Sequence, residues 1–198
     1  MRDIPRRRVV LGLLAGPFGL SVPARAASAP PAAAGTACPA LLQHRLPRLQ
    51  DEQPVDLCQY AGKVLLVVNT ASQCAYTPQY KALEALQRRY GERGLVVLGF
   101  PSNDFGRQEP GSNAEIAEFC ANQFDVSFPM FARSVVRGGA GVNPVFAALA
   151  AHTGEAPGWN FHKYVVGRDG REVLSFASAV DPQDPRLLKG IERLLAAK

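Results

Sequence analysis

One cysteine, Cys74, lies where a predicted strand gives way to a predicted helix. Residues 64–68 (VLLVV) are all apolar, which is typical of a strand buried on both faces inside a parallel sheet. Residues 69–73 (NTASQ) indicate a polar loop, and Thr77-Pro78 predicts the N-cap and first turn of a helix. Unpaired N–H groups and the helix dipole favour a thiolate at such a position. The alternative is a small buried cysteine that carries no chemistry.

The neighbours of Cys74 restrict the reactions open to it. A dithiol oxidoreductase needs a second cysteine three positions later, where this chain has Thr77. A copper chaperone needs further sulfur ligands close by, and the loop has none. A peroxidase needs one thiolate, which becomes a sulfenic acid, and neutral donors that hold the developing charge. The sequence favours a peroxidase over its two alternatives, a thiol-based redox sensor or relay protein and a non-catalytic metal-binding module.

Four cysteines follow the amino-terminal segment: Cys38, Cys58, Cys74 and Cys120. They allow three pairings, and the sequence does not choose among them. We expect Cys38 and Cys58 to brace the entry to the domain, and Cys74 to pair with Cys120 only during turnover. The spacings contain no short clip of the kind that binds structural zinc, so we expect neither a metal site nor a cofactor.

The segments that must position Cys74 alternate between helix and strand patterns. An Asp169-Gly170 pair between two apolar runs predicts a hairpin, and residues 41–60 predict a short hairpin or an extended cover. This order indicates an α/β, thioredoxin-like fold with a central mixed sheet flanked by helices. The other predicted elements are a helix over 78–90, a strand over 95–100, and helices starting at Ser112, at Asn143-Pro144 and near Leu187.

Residues 1–26 have the features of a secretory signal peptide. Arg6-Arg7-Arg8 precedes an apolar run, 9–22, that glycines and a proline interrupt, and Ala24-Arg25-Ala26 is a cleavage signal. The run is too short to span a membrane, and we favour a signal over a buried amino-terminal helix. The arginine pair also resembles the twin-arginine export signal, with general secretion as the alternative.

Most of the net charge belongs to this signal. Residues 1–26 carry +4 of the chain's +5, so the charge gives no reason to expect nucleic acid binding. Residues 27–37 are rich in alanine and proline and predict a flexible linker, and residues 38–198 are long enough for one domain. Because no later apolar run could cross a membrane, we expect an exported, periplasmic protein without stable membrane insertion.

Three blocks of sequence resemble the glutathione peroxidase family. They are NTASQCAYTPQY around Cys74, LGFPSNDFGRQEPGS at 98–112 and WNFHKYVVGRDG at 159–170. The resemblance implies a thioredoxin-like fold and the reduction of hydrogen peroxide and organic hydroperoxides to water and alcohols. It also implies a catalytic tetrad, which consists of Cys74 as the peroxidatic residue with Gln108, Trp159 and Asn160 as its hydrogen-bonding partners.

Several positions stand apart from this tetrad. Position 74 is a cysteine rather than a selenocysteine, and Ser102 replaces a cysteine that many relatives have. Asn69 resembles the strand-end asparagine of the family, and we interpret it as ordering the loop. A cysteine activated by a dipole and amides needs no histidine base, so we expect His152 and His162 to be surface or packing residues.

The resemblance also has implications for how the oxidised cysteine is reduced and for the oligomeric state. Cys120 lies in the helical region where thioredoxin-dependent relatives carry a resolving cysteine, and a buried structural thiol is the alternative. Glutathione and a thioredoxin-like dithiol protein are both possible reductants. Only 27 residues separate Phe131 from Trp159. The long insertion of larger tetrameric relatives is therefore missing, which implies a monomer.

Overall fold

The computed structural model describes residues 37–197. The predicted signal peptide lies outside this range, as does the predicted linker except for Ala37. In the described part, no helix is both long and apolar enough to cross a membrane. The strands and helices are β1 (Arg45–Pro47), β2 (Pro54–Asp56), β3 (Val64–Thr70), α1 (Gln79–Tyr90), β4 (Leu95–Pro101), α2 (Asn113–Phe124), α3 (Pro144–Thr153), β5 (Lys163–Val166), β6 (Val173–Phe176) and α4 (Pro185–Ala196).

Four strands form the central sheet in the order β4-β3-β5-β6. Strands β3 and β4 pair in parallel, and α1 connects them along the chain. Strand β5 pairs antiparallel with both β3 and β6. Strands β1 and β2 form a separate antiparallel hairpin within the 41–60 segment. The structure therefore confirms the predicted mixed sheet flanked by helices, and it places β3 at the centre of that sheet.

The position of β3 explains its unbroken apolar sequence. Every residue of this strand is buried, and successive side chains point to opposite faces of the sheet. Val64, Leu66 and Val68 pack in the core that α1, α2 and α4 share. Leu65 and Val67 pack in the second core, which lies against α3 and the amino-terminal turns. Both faces of β3 are therefore covered, and its carboxyl end leads directly into the cysteine loop.

Two of the helices begin as the sequence predicts. Ser112 and Glu115 form the capping box of α2, in which each side chain bonds the backbone N–H of the other residue. The Asn143 side chain accepts the Val145 N–H at the start of α3, and Pro144 occupies the first turn of that helix. The capping signals alone therefore locate both starts.

The start of α1 differs from the prediction. The helix begins at Gln79 after Pro78, and Thr77 does not cap it. Instead, the Thr77 hydroxyl accepts the Cys74 N–H at 3.0 Å and donates to the Ala71 carbonyl at 2.9 Å. These two bonds satisfy buried groups of the cysteine loop, and such local side-chain bonds compete with capping. Thr77 therefore shapes the loop rather than the helix.

A disulfide joins Cys38 to Cys58, with 5.3 Å between their Cα atoms. It connects the 3-10 turn over Ala40–Leu42 with the 3-10 turn over Leu57–Tyr60, at the entry to the domain. Cys74 and Cys120 are both buried free thiols. The structure thus represents the protein with this second pair of cysteines reduced.

Candidate active site

The sulfur of Cys74 lies in a tight turn between β3 and α1. The side chain is buried, and the Tyr76 backbone N–H points at Sγ over 3.4 Å. The Thr77 N–H closes the turn by donating to the Cys74 carbonyl at 3.0 Å. A backbone N–H directed at sulfur stabilises a thiolate and is not consumed by reaction. The turn therefore places an uncharged backbone donor next to the sulfur.

Gln108 is tied to the same turn through the backbone. The Gln73 N–H, next to Cys74, donates to the Gln108 carbonyl at 3.0 Å. The loop that follows Gln108 is fixed by Arg133, whose Nη1 donates to three successive carbonyl groups. The carbonyl groups belong to Glu109, Pro110 and Gly111. Gln108 is therefore anchored beside the cysteine loop, and its side chain remains half-buried.

Asn160 contacts Gln108 directly. Asn160 is fully buried, and its Nδ2 donates to Gln108 Oε1 at 2.9 Å. Because the amide oxygen of Gln108 is occupied in this way, its Nε2 group is left to donate elsewhere. The contact joins two of the predicted site residues, and it orients an uncharged donor.

Asn69, at the end of β3, forms hydrogen bonds with the loop that carries Trp159 and Asn160. The side chain of Asn69 donates to the Trp159 carbonyl at 3.1 Å and accepts the His162 N–H at 3.0 Å. Its backbone carbonyl accepts the Phe161 N–H at 2.7 Å. Three hydrogen bonds from one residue therefore fix this loop, as our interpretation of Asn69 requires.

Phe161 has a backbone conformation that non-glycine residues seldom adopt. Its φ is +62°, in the left-handed region. The two residues before it differ in exposure, because Asn160 is fully buried whereas Trp159 is 40% exposed. Strained residues of this kind collect at functional sites.

Trp159 lies on a groove beside the cysteine loop. Its ring packs on Phe105, with the ring centroids 5.7 Å apart. The groove has a volume of about 500 Å³, and Tyr76, whose N–H faces the sulfur, lies along it. The other residues that line it are Gly158, Trp159, His162, Ala177, Ser178 and Ala179. The groove brings the indole and the cysteine loop to one side of the molecule.

Cys120 lies on α2 and is 2% exposed. Burial raises the pKa of its thiol to about 11, and the neighbouring carboxylate of Glu109 acts in the same direction. The hydroxyl of Tyr80, which lies beside the thiol, partly offsets this increase. Cys120 is therefore a protonated thiol at neutral pH in this structure.

Neither His152 nor His162 donates to or accepts from the sulfur of Cys74, as a base would. His162 is buried, and a hydrogen bond of 2.9 Å joins its Nε2 to Ser175 Oγ. Burial lowers the pKa of His162 to about 4, so the ring is neutral at physiological pH. His152 is exposed in the last turn of α3. These positions agree with the expected packing and surface roles.

Sequence reasoning missed two buried ionisable residues near the site. Lys163, in β5, is fully buried, and its Nζ donates to the carbonyls of Ser178 and Val180 at 3.0 and 2.6 Å. Burial lowers the pKa of Lys163 to about 7. Glu109 follows Gln108 and is 1% exposed, and burial raises the pKa of its carboxyl group. In the sequence both looked like ordinary surface charges, and no periodic pattern marks them.

Metal binding has no support in the described range. Within residues 37–197, no group of three or more histidine, cysteine, aspartate or glutamate side chains could hold a metal ion. The polar groups at the site are instead amides and an indole, which donate hydrogen bonds without ligating a metal.

Several known proteins are similar to this chain in sequence or in fold. A hydroperoxy fatty acid reductase from Synechocystis, gpx1, is 44% identical over 158 residues, which cover 73% of this chain and 90% of that protein. The thioredoxin/glutathione peroxidase BtuE of Escherichia coli is 39% identical over 170 residues, covering 74% and 92%. The crystal structure of apo Trgpx superposes with a TM-score of 0.60 at 33% identity, covering 78% of this chain and 95% of that one.

The fold and the family follow from these comparisons. The structural likeness, together with the mixed sheet flanked by helices, confirms the thioredoxin-like fold. The family model described as glutathione peroxidase matches residues 44–150, which include the cysteine loop and Gln108. This chain belongs to the glutathione peroxidase family.

Proposed function

We propose that this protein is a thiol peroxidase that reduces hydrogen peroxide and organic hydroperoxides through Cys74. The observation that carries the proposal is the chain of hydrogen bonds from the cysteine loop through Gln108 to Asn160. It ties the loop that carries Cys74 to two further segments, which bring the uncharged amides of Gln108 and Asn160 to the same side of the sheet. The printed names of the relatives, a hydroperoxy fatty acid reductase and a thioredoxin/glutathione peroxidase, agree with this chemistry.

The first step is oxidation of the sulfur. The Cys74 thiolate attacks the terminal oxygen of the hydroperoxide, an S–O bond forms and the O–O bond breaks. The leaving oxygen takes a proton and departs as an alcohol or as water, and the sulfur becomes a sulfenic acid. The Tyr76 N–H, the Gln108 amide and the Trp159 indole are the donors that stabilise charge on sulfur and oxygen.

The second step reduces the sulfenic acid. Cys120 attacks Cys74 as the resolving cysteine, which forms a disulfide and releases water, and a dithiol protein then reduces that disulfide. Glutathione would instead attack the sulfenic acid directly, giving a mixed disulfide with Cys74 and one water, and a second glutathione would reduce that bond, restore the thiol and leave as glutathione disulfide. The two thiols share one core, which supports the route through Cys120.

Rapid mixing with peroxide tests the proposal, because Trp159 is the only tryptophan and reports on the site. The wild-type protein should show a fluorescence change with peroxide that thioredoxin or glutathione reverses. Cys74→Ser should abolish the change. Cys120→Ser should consume one equivalent of peroxide but fail to turn over with a dithiol protein.

Other outcomes of this experiment are equally informative. Fast oxidation without turnover by any small thiol or dithiol protein would favour the sensor or relay alternative. Normal turnover of Cys120→Ser with a dithiol protein would remove Cys120 from the mechanism. Peroxide consumption by Cys74→Ser would overturn the proposal.

We propose further that the protein is exported to the periplasm and acts as a monomer. The signal features of residues 1–26 support export, as does the Cys38–Cys58 disulfide, because disulfides persist in oxidising compartments. The short connection between Phe131 and Trp159 supports a monomer. Amino-terminal sequencing of the periplasmic protein should find a start near Ala27, and light scattering should give the mass of one chain. A cytoplasmic location or a stable tetramer would contradict these proposals.

A further inference from the structure

We propose that Glu109 accepts the proton of the Cys120 thiol when the Cys74–Cys120 disulfide forms, and returns it when that disulfide is reduced. This inference rests on the proposed peroxidase function and adds a residue to its second step. Glu109 is not part of the tetrad that surrounds Cys74, so its effect should be confined to the reactions of Cys120.

The first observation is that the carboxyl group of Glu109 is buried and makes no hydrogen bond of normal geometry within residues 37–197. The residue is 1% exposed, and the polar group beside it is Ser72, which is close enough to lower the pKa of the carboxyl group. Burying a weakly paired carboxylate is unfavourable, and such a group calls for a physical explanation. In the same range, other buried oxygens without a partner are found on Thr70, Ser72, Gln79, Tyr80 and Asn160.

The second observation is the rigid backbone of Glu109. Its N–H donates to Asn103 Oδ1 at 2.9 Å, and its carbonyl accepts from Arg133 Nη1 at 3.0 Å. Both polar groups of the Glu109 backbone are therefore held, which fixes the point from which its side chain projects.

The third observation places Glu109 between the two segments that carry the reactive cysteines. It lines a cavity of about 410 Å³ together with Ser72 and Gln73, which precede Cys74. Across the cavity lie Ile116 and Phe119, on the same helix as Cys120. The negative charge of Glu109 raises the pKa values of both Cys120 and Tyr80, so its carboxyl group is close enough to interact electrostatically with the thiol.

The chemistry of disulfide formation needs such an acceptor. Cys120 reacts as a thiolate, yet burial raises the pKa of its thiol to about 11. In the balanced step, the thiol proton passes to Glu109, the Cys120 sulfur bonds to the Cys74 sulfur, and the S–O bond breaks. The hydroxide that leaves takes a proton from solvent, so sulfenic acid, thiol, the Glu109 carboxylate and one solvent proton give a disulfide, one water and a protonated Glu109 carboxyl group.

Burial makes Glu109 a better base for this task than an exposed carboxylate. Desolvation raises the pKa of Glu109, whereas Ser72 and the charge of Arg133 lower it. A proton acceptor is more effective as its pKa approaches the operating pH. Tyr80 and Cys120 are the other ionisable groups on the inner side, and Glu115 lines the same cavity.

The test is the Glu109→Gln variant, which keeps the shape of the side chain and removes the base. Protein is mixed rapidly with hydrogen peroxide, quenched with a thiol-alkylating reagent, and analysed by mass spectrometry for sulfenic acid and for the Cys74–Cys120 disulfide. We expect oxidation of Cys74 at the wild-type rate. Disulfide formation at pH 7 should be at least about tenfold slower, since general bases contribute on the order of 100-fold or more.

A purely electrostatic role predicts the opposite sign. Removing the negative charge of Glu109 would lower the pKa of Cys120 and speed its attack. An unchanged or faster disulfide step in Glu109→Gln therefore overturns the proposal. Glu118→Gln is the matched control, because Glu118 is an exposed carboxylate on the same helix as Cys120 and should leave both steps unchanged.

The pH profile provides a second and independent readout. Disulfide formation in the wild type should level off once Glu109 is ionised, whereas in Glu109→Gln it should rise with pH toward the thiol pKa of about 11. A wild-type rate that itself rises up to that pH overturns the proposal, even if the variant does not fold. Failure of the proposed function looks different, because the wild type would then form no sulfenic acid at Cys74.

Discussion

Asn160 donates from Nδ2 to Oε1 of Gln108 over 2.9 Å, and this bond fixes which end of the Gln108 amide remains free. A glutamine amide can rotate to present either oxygen or nitrogen, and a thiolate is stabilised only by the nitrogen end. A fully buried asparagine therefore selects the useful orientation of a half-buried glutamine.

Removing this bond should slow the oxidation of Cys74. In Asn160→Ala the Gln108 amide loses its orientation, so we expect the rate constant with hydrogen peroxide to fall about tenfold or more. Gln108→Glu keeps an acceptor for Asn160 but loses the N–H2 group, and it should react slowly as well. Stopped-flow fluorescence measures both rates, and a Gln108→Glu protein that reacts like the wild type would contradict the donor role.

Replacing Asn69 should loosen the tryptophan loop and destabilise the fold. Asn69→Ala leaves the Trp159 carbonyl and the His162 N–H without their partners. Each unpaired buried group costs about 1–3 kcal/mol, so for the two groups we expect the free energy of unfolding to fall by about 2–6 kcal/mol. Urea denaturation measures this. The exposed Asn122 is the control, because Asn122→Ala should change stability by no more than about 0.5 kcal/mol.

Stability should fall in mild acid because of His162. Its folded pKa of about 4 lies below the ordinary value of 6.5, so the unfolded chain takes up the proton first as pH falls. Above pH 6.5 the ring is neutral in both the folded and the unfolded protein, so it does not lower the free energy of unfolding. As the pH falls, the loss in the free energy of unfolding grows to at most about 3 kcal/mol near pH 4. Glu155 and Lys163 are the charged groups that act on the ring.

Variants isolate this contribution of His162. In His162→Gln the stability measured by denaturation should fall less steeply between pH 6.5 and pH 4. The exposed His152 is the matched control, and His152→Gln should keep the wild-type slope. A His162→Gln protein with an unchanged slope would assign the acid sensitivity to other groups.

Removing the disulfide should cost stability without slowing the peroxide reaction. Cys38 and Cys58 are separated by 20 residues, and a loop of that size corresponds to about 3 kcal/mol in the chain-entropy view. We expect the Cys38→Ser/Cys58→Ser protein to unfold at lower urea concentration but to oxidise Cys74 at the wild-type rate. Equal stability of the two proteins would show that the brace does not constrain the unfolded chain.

The sequence predicts the parts of this protein that depend on local patterns. The apolar run of β3, the capping box at Ser112 and the Asp169-Gly170 turn each specify their element without help from distant residues. The predicted N-cap of α1 was wrong because the Thr77 hydroxyl can bond either the start of the helix or the cysteine loop. Its hydroxyl bonds two groups of the cysteine loop, and no helix pattern records that competition.

The contacts among the predicted site residues could not be predicted from the sequence. The three family-like blocks point to Cys74, Gln108, Trp159 and Asn160, yet the bond between Asn160 and Gln108 joins residues 52 positions apart. Glu109 and Lys163 were missed because the burial of a charge depends on the surrounding tertiary structure. A charged residue among turn or strand residues looks the same in sequence whether it is exposed or enclosed.

Asn69 and the sulfur it precedes by five residues are carried by one central strand. A bend or twist of the sheet therefore displaces the tryptophan loop and the cysteine together, and their spacing is preserved. Cys120, the resolving thiol of the proposed mechanism, lies instead on α2. The two cysteines of that mechanism are therefore carried by separate elements, so a shift of α2 changes the distance between them without changing the distance from Cys74 to the tryptophan loop.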